Sequence, residues 1–278
     1  MKPARDSHCV LNQYGVAAQK RFAQREAATQ MDTATAYDWI IPEWEVAPNV
    51  RAISTTRNGG DSAAPYASLN LGAGSGDDLA AVEANRAILQ TQAAMPTRPL
   101  WLKQVHGNDC VTADLATEGV AADASYTGSR DKVLAILTAD CVPVLFCDLD
   151  GTEVAAAHAG WRGLESGVLE ASVDRFEAHP DQLCAWIGPC IGASSYEVGA
   201  DVYDAFSSAC GDDRRFFHAN RPGHWMADLP GLVFARLQRI GVSNIWASGW
   251  CTASDPARFF SYRRDGQTGR MATCIWLT

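Results

Sequence analysis

The middle of the chain carries three short apolar runs separated by turn residues, which is the pattern of neighbouring β-strands. The first two runs lie at 133–137 and 142–146 and are rich in Val, Leu and Ile. Residues 148–151 then supply turn-forming aspartate and glycine before the third run at 154–157. The last two runs and the turn between them predict a β-hairpin.

The predicted hairpin brings a cysteine close to a histidine. If its loop is the four residues 148–151, Cys141 lies directly opposite His158, whereas a two-residue loop at 150 and 151 makes them diagonal neighbours on the same face. Either register places two metal ligands, or a nucleophile and its base, within reach of each other. Pro143 has no N–H to donate to a neighbouring strand, so it predicts an edge strand or a bulge at this point.

Further strands and helices flank the hairpin. Apolar patterning predicts strands over 50–56, from 100 to His106, over 183–187 and 245–250, and two C-terminal strands around a polar loop within 259–277. Helical spacing predicts helices within 79–89, 164–176, 198–206 and 229–240. Asp77 and Asp78 are suited to the start of the first helix, and Gly241 is suited to end the last one.

Length and charge limit the kinds of partner. With 278 residues, of which 47% are hydrophobic, the chain can bury a large core as one domain or as two smaller ones. Its formal net charge of −9 provides no basic field for a phosphate backbone. The sequence therefore predicts a small-molecule partner and no nucleic acid.

Membrane insertion and secretion are not indicated either. No apolar run approaches the roughly 20 residues of a membrane span, and the first residues lack the apolar core of a signal peptide. The 9 cysteines are odd in number, scattered and free of C-x-x-C spacing, as expected of reduced thiols. We therefore predict a cytoplasmic protein without membrane contact, and the sequence leaves its oligomeric state open.

The first part of the chain differs in composition from the rest. It is rich in Ala, Gln and Arg and shows little apolar periodicity before the segment that begins at Tyr37. We therefore predict a disordered or loosely helical extension over 1–37, before the part of the chain that folds, 38–278.

Two histidines and one cysteine form the candidate site. His106, Cys141 and His158 each lie at one end of a predicted strand, and a His₂Cys ligand set leaves the fourth position of a tetrahedral zinc open, as catalytic sites require. Their spacing matches no short zinc motif, so a Cys–His nucleophilic pair and ordinary packing remain alternatives. Asp123, at the end of an acidic loop, is a candidate acceptor for a hydrogen bond from a histidine ligand.

Seven short segments carry a resemblance to a known family. They are Thr55-Thr56-Arg57-Asn58-Gly59-Gly60, Pro65-Tyr66-Ala67-Ser68-Leu69-Asn70-Leu71, Lys103-Gln104-Val105-His106-Gly107, Ala139-Asp140-Cys141-Val142-Pro143, His158-Ala159-Gly160-Trp161-Arg162-Gly163, Ile187-Gly188-Pro189-Cys190-Ile191-Gly192 and Ser261-Tyr262-Arg263-Arg264-Asp265. In these segments and in their order, residues 38–278 resemble the YfiH-type family, also called laccase-domain or polyphenol oxidase-type proteins.

The resemblance implies a fold, a metal site and an activity. The fold would be a mixed α-β-β-α sandwich in a single domain of the α+β class, with His106, Cys141 and His158 as metal ligands and catalytic residues. The cofactor would be zinc, with copper as the alternative. The activity would be cleavage of adenosine, inosine, guanosine or methylthioadenosine by phosphate, with deamination of adenosine as a possible addition.

Other descriptions attached to the family give alternative functions. They are a copper-dependent polyphenol oxidase and a Cys–His hydrolase, including one that edits peptidoglycan precursors; a non-catalytic metal- or redox-responsive protein is a further alternative. The 6 histidines of the chain are few for a blue-copper centre together with a trinuclear cluster, which disfavours the oxidase. Phosphorolysis needs an anion site, for which the matching motifs offer Arg57, Arg162 and Arg264.

Overall fold

This computed structural model describes residues 37–278 of the chain. The strands of this part form two large sheets and one small sheet. The strands are β1 Val50–Ser54, β2 Leu100–Trp101, β3 Cys110–Thr112, β4 Ala124–Thr127, β5 Val133–Thr138, β6 Val142–Asp148, β7 Val154–Ala159, β8 Leu183–Ile187, β9 Glu197–Gly199, β10 Phe217–Arg221, β11 His224–Ala227, β12 Asn244–Ala247 and β13 Met271–Leu277. Their orders are β1-β13-β5-β2, β12-β8-β6-β7-β4-β3 and, in the small sheet, β10-β11-β9. The predicted extension over 1–37 lies outside the described residues except for its last position.

Six α-helices connect these strands within the described residues. They are α1 Leu79–Gln92, α2 Trp161–Ser166, α3 Val168–Val173, α4 Ala200–Ala209, α5 Leu229–Arg239 and α6 Tyr262–Asp265. The Asp78 carboxylate accepts a hydrogen bond from the amide of Ala80 and so caps α1, as predicted. Within the same residues, no helix is both long enough and apolar enough to cross a bilayer.

The two large sheets pack face to face and enclose the main core. Strand alternation sends every second side chain of β5 and β13 toward the six-stranded sheet. The core between the sheets includes Leu134, Ile136, Leu145, Trp186 and Ile275. On the other face of the four-stranded sheet, Leu89 of α1 packs in a second cluster with Trp101, Cys274 and Trp276.

Helices cover both outer faces of this pair of sheets. Helix α3 contacts β7, and α5 contacts β6 and β8, so these helices lie on the six-stranded sheet while α1 lies on the four-stranded one. The order of layers is helix, sheet, sheet, helix. This confirms the mixed α-β-β-α sandwich that the resemblance implied.

The central hairpin has the second of the two predicted registers. Val142 pairs with Ala159 and Cys147 pairs with Val154, so Cys141 is a diagonal neighbour of His158 rather than its direct partner. Both residues point to the same face of the sheet because their positions differ from the inward-facing Cys147 and Val154 by even numbers. The hairpin therefore carries the two side chains to one end of the space between the sheets.

The prediction of an edge strand or bulge at Pro143 is wrong. Strand β6 is an interior strand between β7 and β8, and Pro143 pairs regularly with His158. Proline is tolerated there because the pairing of β6 with β8 ends at Val144 and Ile187. One position beyond, the Pro143 carbonyl accepts a hydrogen bond from Gly188, so its missing N–H interrupts no ladder.

The predicted strand that runs to His106 is much shorter than expected. Only β2 forms, because the backbone amides of Val105, His106 and Gly107 donate to the carboxylate of Asp123 rather than to a neighbouring strand. His106 has a φ of +61°, which no regular strand contains. The histidine is thus held by a loop that is built around one buried carboxylate.

Other predicted elements also differ in their bounds. The helix predicted within 164–176 is divided into α2 and α3 at Gly167, whose φ of +98° ends the first and starts the second. Of the two predicted C-terminal strands only β13 forms, because Ser261 caps the short helix α6 by accepting a hydrogen bond from the Arg264 amide. The strand predicted over 245–250 ends at Ala247.

Candidate metal centre and active site

His106, Cys141 and His158 come together at one point, as the sequence analysis expected. Their ligand atoms all lie within 4.8 Å of one another. The Cys141 Sγ atom is 3.9 Å from His106 Nε2, and the two imidazole rings meet edge to face with centroids 4.8 Å apart. Within residues 37–278 this is the single group of three or more His, Cys, Asp and Glu side chains with metal-site spacing.

Gly160 makes room for this cluster. A Cβ atom at this position would lie 2.9 Å from His106 Cδ2, 3.2 Å from Cys141 Sγ and 3.6 Å from His158 Cε1. The first of these distances is shorter than real Cβ contacts. A side chain at residue 160 would therefore push the three candidate ligands apart.

Asp123 positions two of the three candidate ligands, His106 through its backbone and His158 through its ring. Its carboxylate is fully buried and accepts hydrogen bonds from the amides of Val105, His106 and Gly107, and it lies 2.7 Å from His158 Nδ1. Burial alone would raise the pKa of Asp123, but these hydrogen bonds outweigh burial and lower it. The ionised carboxylate accepts a hydrogen bond from the Nδ1–H of His158, so that Nε2 is the ring nitrogen that can act as a ligand, as the sequence analysis proposed for Asp123.

Cys141 and His158 influence each other's charge. Burial alone would raise the pKa of the Cys141 thiol, yet the charge of His158 and the hydrogen bond to His106 lower it to about 6. Burial alone would lower the pKa of His158, yet the Cys141 charge and the hydrogen bond to Asp123 raise it to about 9. In the metal-free protein the two side chains thus form a thiolate–imidazolium pair at neutral pH.

The donor set suits a transition metal ion. One thiolate and two imidazoles are ligands that zinc prefers, and the Asp123 contact to His158 is the second hydrogen bond that metal-bound histidines usually make. The cluster can therefore hold one ion. The described residues offer no second group of ligands from which a multinuclear copper site would be built.

The cluster lines a cleft of about 730 Å³. Aromatic side chains line it as well, among them Trp101, Trp161, Tyr196 and Tyr262, and the Tyr262 side chain is 64% exposed. A cleft of this volume, apolar in part and furnished with a few polar groups, is typical of a small-molecule site.

The structure brings one of the three sequence-predicted arginines to this cleft. Arg162 lines it from the first turn of α2, which follows the strand that carries His158. Arg57 and Arg264 do not line it: the first donates to the carbonyls of residues 67 and 256, and the second to those of residues 252, 253 and 259. Their guanidinium groups instead tie loops together.

Two other arginines of the C-terminal segment also line the cleft, Arg263 and Arg270, which the sequence motifs did not select as phosphate candidates. Arg263 lies in the same motif as Arg264, and nothing in its spacing told which of the two faces the cleft. Arg270 follows a glycine outside every matched motif. No sequence signal marked it, because its position depends on how the chain enters β13.

Replacement of Asp123 by asparagine is expected to weaken metal binding about 10- to 100-fold, because the amide cannot serve all four donors that surround the carboxylate. The dissociation constant for zinc, measured by competition with a chromogenic chelator, tests this. Asp114→Asn is the matched control, since the Asp114 carboxylate accepts hydrogen bonds from Thr127 and Ser129 and contacts none of the cluster. Equal zinc affinity in the two variants would contradict the role of Asp123.

Comparison with known proteins places the chain in a family. The family described as multi-copper polyphenol oxidoreductase laccase matches residues 51–278. A protein of Pseudomonas aeruginosa named as a purine nucleoside phosphorylase is 49% identical over 240 residues, which cover 86% of this chain and 98% of the relative. The purine nucleoside phosphorylase YfiH of Escherichia coli is 47% identical over 243 residues, again covering 86% of this chain and 98% of the relative.

Solved structures show the same relationship. The crystal structure of a Neisseria meningitidis protein, NMB0706, is similar with a TM-score of 0.83 and 44% identity, and the match covers 86% of this chain and 98% of that one. The crystal structure of YfiH from Bacillus licheniformis has a TM-score of 0.78 at 31% identity, covering 82% and 93% of the two chains. Because sequence and structure agree over nearly the whole length of these relatives, the chain belongs to the YfiH-type, laccase-domain family.

Proposed function

We propose that this protein is a zinc-dependent purine nucleoside phosphorylase that cleaves adenosine, inosine, guanosine or methylthioadenosine with phosphate. The observation that carries the proposal is the His106, Cys141 and His158 cluster in the cleft, on a chain that is 42–49% identical to proteins named as purine nucleoside phosphorylases. The cofactor would be one zinc ion on these three side chains.

The reaction joins one phosphate oxygen to C1′ of the ribose and breaks the bond between C1′ and the purine nitrogen. The electron pair of that bond leaves with the purine, which takes up a proton, and the sugar leaves as its 1-phosphate, which is ribose 1-phosphate for adenosine, inosine and guanosine. The protein therefore has to hold an anion, orient a flat base and stabilise charge that develops in the transition state. His106, Cys141 and His158 would hold the zinc ion, which would supply a Lewis acid for this developing charge.

The cleft residues supply groups for the first two of these tasks. The exposed ring of Tyr262, together with Trp161 and Tyr196, offers aromatic faces against which a purine can stack. Arg162 offers a guanidinium fork to phosphate. The buried hydrogen bonds of Asp123 fix the backbone of His106 and the ring of His158, so the candidate ligands need little reorganisation when substrate binds.

The purified protein is expected to convert inosine and phosphate into hypoxanthine and ribose 1-phosphate, and adenosine and phosphate into adenine and the same sugar. Chromatography of the products, with and without phosphate, tests this. Inosine formed from adenosine in either reaction would show the additional deaminase activity. Absence of free base from all four nucleosides in the presence of phosphate, with one zinc bound, would contradict the proposed function.

A further inference from the structure

Three arginines in the cleft have no carboxylate partner. Arg162, Arg263 and Arg270 all line the cleft, and within the described residues none of them forms an ion pair with an aspartate or a glutamate. Arg162 and Arg263 are exposed and Arg270 is half-buried, whereas the buried Arg86 in the same cleft pairs with Glu83 and Glu118. In a chain with a net charge of −9, such a concentration of unpaired cations requires an explanation.

The carboxylates that line the same cleft are engaged elsewhere. Asp140 accepts hydrogen bonds from the hydroxyls of Thr252 and Ser261 and from the backbone amide of Arg263, and Glu118 binds Arg86 and Arg98. Neither one contacts the guanidinium group of the three arginines. The cleft therefore keeps a local positive charge next to the cysteine–histidine cluster.

Tyr196 lies close enough to Arg162 and Arg263 for both charges to act on it, and Arg263 stacks on its ring. The guanidinium carbon of Arg263 is 5.0 Å from the centroid of the Tyr196 ring, and the charges of both arginines act on the Tyr196 hydroxyl. Burial raises the pKa of that hydroxyl, and the nearby Cys141 charge raises it further, against the effect of the two arginines. Tyr196 therefore stays protonated and can donate a hydrogen bond to an anion.

The orientation of each side chain is set by neighbouring groups. The Arg162 guanidinium stacks on the ring of Trp161 with its central carbon 4.3 Å from the centroid. Arg270 donates from Nη1 to the carbonyls of Thr268 and Gly269, which leaves its other nitrogen donors available. Such anchoring reduces the conformational entropy that a long side chain loses when it binds a ligand.

Arg270 also lies near the cysteine–histidine cluster. The charges of Cys141 and Asp140 act on it from close by, while burial lowers its pKa. Gly72 makes space for its side chain, since a Cβ atom at residue 72 would lie 2.6 Å from Arg270 Cγ. Lys103 also lines the cleft without an ion pair, but among the described residues neither a hydrogen bond to its ammonium group nor a stacked aromatic ring fixes it, unlike Arg162 and Arg263.

We propose that Arg162, Arg263 and Arg270 form the binding site for the phosphate co-substrate, with the Tyr196 hydroxyl as an additional donor. This inference rests on the proposed phosphorolysis and assigns its anion site, in which Arg263 and Arg270 take the places that sequence motifs suggested for Arg57 and Arg264. Planar guanidinium groups donate pairs of hydrogen bonds to the oxygens of a tetrahedral anion. Beside the cysteine–histidine cluster, they would position one phosphate oxygen for attack on C1′.

Replacement of each of the three arginines by glutamine is expected to raise the KM for phosphate about 10- to 100-fold. The KM for inosine should change less than about threefold, because a charged hydrogen bond to phosphate is lost while the base contacts remain. Initial rates with each substrate varied in turn measure both constants. Arg215→Gln is the matched control: it removes the same charge from an exposed arginine outside the cleft lining and should leave both constants unchanged.

A second measurement separates this inference from the proposed function. Binding of inorganic phosphate to the zinc-loaded protein, followed by calorimetry without nucleoside, should be weakened in the three variants and unchanged in Arg215→Gln. Zinc content should be equal in the unaltered protein, in the three variants and in Arg215→Gln. If the unaltered protein binds phosphate without catalysing phosphorolysis, and the three variants lose this binding, the result would support the anion site and contradict the proposed function. Active variants whose KM for phosphate is unchanged would contradict the anion site alone.

Discussion

Removal of the metal with a chelator is expected to lower the phosphorylase activity at least about 100-fold, and added zinc should restore it, because a Lewis acid in the site contributes several kcal/mol to charge stabilisation. Elemental analysis of the protein purified without added metal should find about one zinc per chain. Replacement of His106, Cys141 or His158 by alanine should lower the zinc content together with the activity, since all three donors converge on one point.

Alkylation distinguishes a cysteine ligand from a cysteine nucleophile. In the zinc-loaded protein Cys141 should react slowly with iodoacetamide, because the metal holds its thiolate. After chelation it should react quickly at pH 7 and more slowly as the pH falls through about 6, where the thiolate of the metal-free site becomes protonated. Cys210, a half-buried thiol outside the cluster, serves as the internal control whose reaction chelation should not change.

The opposite outcomes would favour other functions. Full activity in the zinc-free protein, lost when Cys141 is alkylated, would indicate a Cys–His nucleophilic pair, which the thiolate–imidazolium charge pair of the metal-free site would also serve. Copper in place of zinc, with oxidation of phenols, would indicate a polyphenol oxidase. Metal binding without turnover of any nucleoside would leave a metal- or redox-responsive protein.

Asp140→Ala is expected to lower the free energy of unfolding by about 3 kcal/mol, or the midpoint of thermal unfolding by about 6–12 °C, and to reduce activity at the same time. The buried Asp140 carboxylate joins three chain segments by accepting hydrogen bonds from Thr252, Ser261 and the Arg263 amide. Its loss would release both Cys141, the next residue, and the α6 turn that carries Arg263. Thermal unfolding and the KM for phosphate measure the two effects.

Two further variants separate the backbone effect from the hydrogen bonds. Asp140 has a φ of +107°, which glycine adopts freely, so Asp140→Gly should be about 1 kcal/mol more stable than Asp140→Ala while it lacks the same hydrogen bonds. The matched control is Asp148→Ala. The Asp148 carboxylate also accepts three hydrogen bonds, from Thr152 and Glu153 in the hairpin loop. That variant should lose stability but keep its KM for phosphate, and a similar increase in KM would contradict the role of Asp140.

The sequence predicted most of the elements that form by local periodicity. The strands of the central hairpin, the helix that begins after Asp78 and the helix that ends before Gly241 all appear near their expected positions. Apolar alternation, capping carboxylates and glycine at a positive φ are properties of neighbouring residues. They can therefore be recognised without knowledge of the rest of the chain.

Predictions failed where a distant residue replaced a local partner. The strand toward His106 does not form because the carboxylate of Asp123 takes the amides that a neighbouring strand would otherwise bind. The first C-terminal strand does not form because Ser261 and Asp140 accept hydrogen bonds from the amides of the α6 turn. No pattern in either segment reports such a partner, since it lies elsewhere in the sequence.

The sequence by itself determined the sandwich, through its resemblance, and the set of candidate metal ligands, because ligand type is a property of the side chain. The alternation of side chains along the two hairpin strands also placed Cys141 and His158 on the same face of the sheet. Only the tertiary structure decided which arginines face the cleft. Arg57 and Arg263 are held by a carbonyl and a ring from distant parts of the chain, and Arg264 and Arg270 by carbonyls of nearby loops. A long flexible side chain has no periodicity from which its direction can be read.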